Sequence, residues 1–252
     1  MATIVLVAGP PTSAAMWSAL EDRLRDHGHR THAVELFDPA PADPTPAGLA
    51  RVLATTLAEI EQPILVAHGT AIPVALLAAE QHAPAALVLT NGSLGGLDPV
   101  TAAVCRLARS QRLFSTLLLH PRIWLRWLAS SAGLRRTVVN PYVMDRDTVV
   151  ALCGPLLQSG AHRRAVTTFL AALPEFASQP PRIDCPTLLL WGDEDPLQPS
   201  HVADSARRWL PSAEVAVVPG GQHFHPLERP WAMADQLDQW LAVKRSPQAV
   251  AG

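Results

Sequence analysis

Cysteine is scarce in this chain: Cys105, Cys153 and Cys185 are the whole set. Their odd number and the lack of metal-ligand spacing leave no basis for a disulfide framework or a thiolate metal site. They suit a reduced cytoplasm, with each residue a buried thiol. Charge is also sparse, at 17% of residues and a net −2, and the Lys and Arg residues are scattered. Such a chain has no basic field for nucleic acid. No apolar run reaches membrane-spanning length. The opening Met1–Val7 is too short for a signal peptide and lacks a basic n-region. There is no P-loop, no Rossmann glycine pattern and no spaced ligand cluster, so neither metal nor cofactor is expected. These absences predict a soluble cytoplasmic protein acting on a small molecule, without nucleic-acid or membrane partners. They leave monomer and homodimer equally open.

What is present is apolar content, 48% of 252 residues, enough for one domain with an inserted segment. Thr3–Val7 reads as a buried strand. Ser13 then caps a helix through Trp17, Leu20 and Leu24, which ends at His27-Gly28. His29–Leu36 gives a second strand, Pro63–Val66 a third and Ala85–Thr90 a fourth, with an amphipathic helix over Ala47–Ile60. Pro186–Trp191 and Glu214–Val218 complete the strands, and a last helix covers Pro230–Val243. Strands alternating with helices in this way predict an α/β fold with a mainly parallel sheet covered on both faces. From about residue 98 to 181 strands vanish. Helical patterns recur there, at Thr101–Leu119, Ile123–Ala129, Arg146–Gln158 and Arg163–Leu173.

The third strand runs through Ala67-His68-Gly69-Thr70-Ala71 directly into a helical pattern at Ile72–Gln81. This turn resembles the nucleophile elbow of the α/β-hydrolase superfamily, Gly-x-Ser-x-Gly with a small residue at either end. Two further motifs carry the resemblance. Trp191-Gly192-Asp193-Glu194-Asp195-Pro196 matches the turn that holds the superfamily's acid, and Gly220-Gly221-Gln222-His223-Phe224 the turn that holds its histidine. The resemblance implies Asp195 as the acid, in preference to Asp193, and His223 as the base. It also implies a hydrolase core over residues 1–97 and 182–252 with a helical lid over 98–181. The start at Thr3–Val7 makes the compact esterase and hydroxynitrile-lyase branch similar. His68 and His225 read as structural, the ring of His68 facing away from the reaction centre.

Two departures from the pattern bear on the chemistry. Gly69 stands where the nucleophile should be, so no covalent ester can form there. Thr70 follows one residue later, and its hydroxyl is expected to project elsewhere, although its N–H can still serve as an oxyanion donor. The loop after the first strand, Ala8-Gly9-Pro10-Pro11-Thr12, puts Pro10 at the superfamily's other donor position. Proline has no N–H, and loss of such a donor costs about 10²–10³ in acyl-transfer rate. A one-residue shift of the alignment would restore it. A serine-to-glycine knockout of a serine esterase explains the first departure alone; the joint loss favours a site that never acylates.

The pocket is expected between the sheet's C-terminal edge and the lid, where Trp124, Trp127, Phe114, Leu117, Leu118, Phe169 and Tyr142 supply aromatic and apolar surface. His68, Ser13 and Phe224 join them as candidate pocket residues. An apolar substrate suits such a lining. Three functions follow as expectations. The first is a His–Asp dyad acting as general base in elimination, cyclisation or isomerisation within natural-product metabolism. The second is hydrolysis of an activated ester or lactone by His-activated water. The third is a non-catalytic binding protein on a hydrolase scaffold.

Overall fold

Runs of Val, Ile, Leu and Ala become strands because both of their faces are covered, as a parallel sheet requires. The computed structural model describes residues 1–178 and 180–244. Its strands are β1 (Thr3–Ala8), β2 (Arg30–Val34), β3 (Ile64–Gly69), β4 (Ala86–Gly92), β5 (Thr187–Gly192) and β6 (Glu214–Val218). They form one sheet in the order β2-β1-β3-β4-β5-β6, every pairing parallel. The helices are α1 (Ser18–Asp26), α2 (Pro46–Ala58), α3 (Ile72–Gln81), α4 (Pro99–Ala108), α5 (Gln111–Leu113), α6 (Pro121–Leu128), α7 (Arg146–Cys153), α8 (Gly160–Ala177), α9 (His201–Ala206), α10 (His225–Glu228) and α11 (Pro230–Lys244).

The two-residue alternation of a strand sorts the core. Ile4, Leu6, Ile64 and Val66 turn to one face, against Leu20 and Leu24 of α1 and Met233 and Leu237 of α11. Val5, Val7, Leu65 and Leu87 turn to the other, against Leu49 and Leu53 of α2 and Val74 and Ala75 of α3. The chain leaves β1 for β2 on one side and returns to β3 on the other. The order therefore reverses at β1 and β3, and such a reversal opens a crevice at the strands' C-terminal ends.

Between β4 and β5 the described residues hold helices and turns alone. The expected helix over Thr101–Leu119 is broken: α4 ends at Ala108, Ser110 leaves helical geometry with ψ 58°, and a π-turn follows at Phe114–Leu118. The helix expected over Arg146–Gln158 stops at Cys153 and tightens into a 3₁₀ turn, Gly154–Leu157, where Pro155 brings no N–H. In contrast, α8 is longer than expected at both ends, and at its start Ser159 caps it, accepting from the N–H groups of Ala161 and His162. Among the described residues no helix is long and apolar enough to cross a membrane.

Candidate active site

β3 ends at Gly69 with φ +64°, in the left-handed region that glycine enters without strain. Three residues later α3 begins, and the turn between is closed by the Ala71 N–H donating to the His68 carbonyl at 3.2 Å. A Cβ added to Gly69 would have no atom within 4 Å, so a side chain there would stand in open space. The surrounding backbone is crowded. A Cβ on Gly92 would collide with the Gly69 carbonyl oxygen, and one on Gly9 with the Thr70 hydroxyl. Small residues on β4 and after β1 thus let both neighbours close on the turn.

His223 follows β6 and points Nδ1 at Asp195 Oδ2, 2.8 Å away. Asp195, after β5, is 3% exposed. Its Oδ1 accepts from the N–H groups of Leu197 (2.8 Å) and Gln198 (3.0 Å), and its Oδ2 also accepts from Asn91 Nδ2 at 2.5 Å. Burial pushes this carboxyl up, but the facing His223, its hydrogen bond and those of Asn91 and Gln198 win, leaving it at about 2. Burial pushes His223 down, yet Asp195's charge and hydrogen bond, helped by Asp98, raise its pKa above 6.5. With Nδ1 held by a carboxylate, the proton sits there and Nε2 is the basic nitrogen.

Two more histidines brace the pair. His68 Nε2 meets the His223 carbonyl at 2.9 Å, and the two rings lie 4.9 Å apart. Since a carbonyl only accepts, His68 carries its proton on Nε2. Its ring faces the dyad, which corrects the expectation that it turns away. His225 is fully buried, with Nε2 at 2.8 Å from Thr90 Oγ1 and 3.0 Å from Asn91 Oδ1. Burial lowers both rings to about 3, with the charge of His223 adding to the effect, so both are neutral at ordinary pH.

The loop after β1 offers a ligand little. Pro10 and Pro11 have no N–H, that of Thr12 donates to the Gly9 carbonyl (3.2 Å), and that of Ser13 to the Leu152 carbonyl (2.8 Å). Residues 10–13 therefore present no free N–H, and shifting the alignment forward from Pro10 restores none. Thr70 donates its hydroxyl to the Pro10 carbonyl at 2.8 Å. Its N–H makes no hydrogen bond among the described residues, and Thr70 borders the cavity.

That cavity, about 110 Å³, lies over Gly69 and is bordered by Gly9, Pro10, Thr70, His68, His223 and Phe224. Trp124, Trp127 and Leu128 of α6 roof it. Among the polar residues on its border are Thr12, Ser93, Asp98 and Gln198. Several sequence expectations fail here. Tyr142 is 84% exposed and does not border the cavity. Ser13 is buried, but it caps the turn Ala14–Trp17 rather than lining the pocket. Phe114 and Phe169 belong to the core, Leu117 faces outward, and none of them nor Leu118 lines the cavity. Cys185 is half-buried, whereas Cys105 and Cys153 are buried as expected.

A model of the alpha/beta hydrolase family matches residues 4–236. The chain belongs to that family. Solved structures agree on the fold. The epoxide hydrolase CorEH superposes with a TM-score of 0.76 at 14% identity, covering 97% of this chain and 93% of its own. A thermophilic esterase from Thermogutta terrifontis gives 0.68 at 20% identity, covering 98% and 91%. The haloalkane dehalogenase DatA from Agrobacterium tumefaciens gives 0.71 at 18% identity, covering 96% and 89%. A search of the curated proteins returns no match.

In this alpha/beta hydrolase the three motif turns meet at one point: His223 borders the cavity over Gly69, with Asp195 behind it. Asp193 is exposed, which leaves Asp195 alone in contact with the histidine. Sequence reasoning missed Asn91, which links Asp195 to His225, and Asp98, which caps α4 through the N–H groups of Val100 and Thr101 and borders the cavity. The available signal was a polar pair, Thr90-Asn91, closing an otherwise apolar strand.

Proposed function

We propose that the protein is a non-acylating enzyme in which His223, oriented by Asp195, acts as general base on an apolar small molecule bearing an acidic proton. One observation carries the reading: Nδ1 of His223 is held at 2.8 Å by a buried carboxylate, while Nε2 has no partner among the described residues and the ring borders the cavity. In this reading Nε2 takes a proton from a substrate carbon next to a carbonyl. The released electron pair moves onto a carbonyl oxygen, which accepts from the Thr70 N–H near the start of α3. The enolate then expels a leaving group, closes a ring or is reprotonated by the imidazolium. Gly69 leaves room for substrate where a nucleophile would stand, and the helical segment between β4 and β5 serves as a lid. Three free cysteines fit a reduced, cytoplasmic setting.

Water activated by the same histidine is the second reading. It is favoured by the open space over Gly69 and by relatives that include an esterase and an epoxide hydrolase. Turnover in H₂¹⁸O and in D₂O separates the two. The first reading expects no ¹⁸O in product, with deuterium entering the acidic carbon position of recovered substrate or of an isomerised product; ¹⁸O incorporation would establish hydrolysis instead. His223→Ala is expected to abolish turnover while substrate still binds, and surviving turnover would remove the dyad from the chemistry.

A further inference from the structure

On the outer side of the segment that roofs the cavity lies an open groove of about 610 Å³ between α6 and α7. Arg122, Arg126, Arg135 and Arg146 border it, over a floor that includes Leu125 and Val150. None of the four arginines forms an ion pair among the described residues, although the chain as a whole carries a net −2. Arg135 uses only Nε internally, donating to the Met144 carbonyl at 3.2 Å. The nearby acid is Asp145, whose charge reaches Arg135 while its carboxylate serves as the N-cap of α7, accepting from the Thr148 N–H. Asp147 lies in the same first turn.

Within the chain this arrangement is unfavourable three times over. Arg122 and Arg146 sit in the first turns of their helices, where the helix dipole disfavours a cation. Arg122 and Arg126 are four residues apart on one helix, and like charges at that spacing repel. The first turn of α6 contains no acidic residue to offset them. An anionic partner would reverse the sign of all three effects.

We infer that this groove docks an acidic, amphipathic helix of a partner protein. Guanidinium groups one helical turn apart suit carboxylates repeated at the same spacing, and the apolar floor suits the stripe between them. Val150, on that floor, is 43% exposed. A phosphate-bearing small molecule would leave that surface unused. The inference is independent of the dyad, but α6 joins the two sites: Arg122 and Arg126 border the groove while Trp124, Trp127 and Leu128 border the cavity.

The test uses the whole protein and a fluorescein-labelled helical peptide with glutamates at i, i+4 and a leucine stripe, followed by anisotropy. Saturable binding that weakens with added salt is expected. Arg122→Glu/Arg126→Glu should lower affinity at least about tenfold, and Arg146→Glu, on the other helix, should also lower it. Thermal unfolding of each variant establishes that it folds. A peptide of the same composition with its leucines scattered should bind at least about tenfold more weakly. Equal binding of the scattered peptide, displacement by inorganic pyrophosphate, or folded charge-reversal variants that bind normally would each overturn the inference.

Discussion

His223 is the residue at which burial and charge compete, and charge prevails. A base must be neutral, so turnover should rise with pH along a single limb whose midpoint lies above 6.5. Asp195→Asn removes the carboxylate and leaves burial opposed by the charge of Asp98, which should move that limb to lower pH and reduce turnover by about 10²–10⁴. A pH–rate profile of both proteins measures the two effects, and a limb that stays in place would exclude Asp195 as the cause. Gly69→Ser tests the other half of the site. The new hydroxyl has space, and the left-handed φ costs on the order of 1 kcal/mol, so the variant should fold. It should remain inactive on chromogenic esters, because the loop residues at 10–13 offer no oxyanion donor. Esterase activity would mean that the missing hydroxyl was the only lesion. Asp195 and His223 were legible because each stands in a turn of fixed pattern. Asn91 was signalled only by the polar pair Thr90-Asn91 on an otherwise apolar strand, and its role emerges only once Asp195 after β5 and His225 of α10 are in place. Tyr142 was misread because aromatic content says nothing about facing.

At the scale of elements, the turn after β3 and the loop after β1 are tied together by one side chain. Thr70→Val keeps the shape but removes the donor to the Pro10 carbonyl. It should destabilise the fold by about 1–3 kcal/mol, read as a lower urea midpoint at unchanged m-value. An unchanged midpoint would show that the carbonyl finds another donor. The strands were readable from apolar runs, with errors confined to their ends: β3 continues past Val66 to Gly69, and β2 stops at Val34. The helical segment was harder. Its period was visible, but the breaks at Ser110 and Gly154 depend on local hydrogen bonding that a periodicity averages over.

For the whole molecule, the buried histidines set a pH window. His68 and His225 have folded values of about 3 against 6.5, so the unfolded chain binds more protons between those limits. Stability should therefore fall as pH drops below about 6.5, and Asp195, at about 2 against 3.8, adds a further loss at the acid end. His223 acts in the opposite sense: its raised value favours the fold below 6.5, and that contribution fades as pH climbs through its folded value. Urea midpoints across about pH 4–9 should peak just above pH 6.5 under the control of these groups. A midpoint that does not fall between pH 6.5 and 5 would show that both rings accept protons within the fold.

Gly69 also has an evolutionary consequence. Glycine and serine codons can differ by a single base, so the family's usual residue can be one mutation away. At φ +64°, however, a serine is strained and a glycine is not. Once a reaction ceases to need the hydroxyl, selection for stability alone retains the glycine, by a margin on the order of 1 kcal/mol. The backbone shape that makes a nucleophile reactive thus also acts as a ratchet against regaining it.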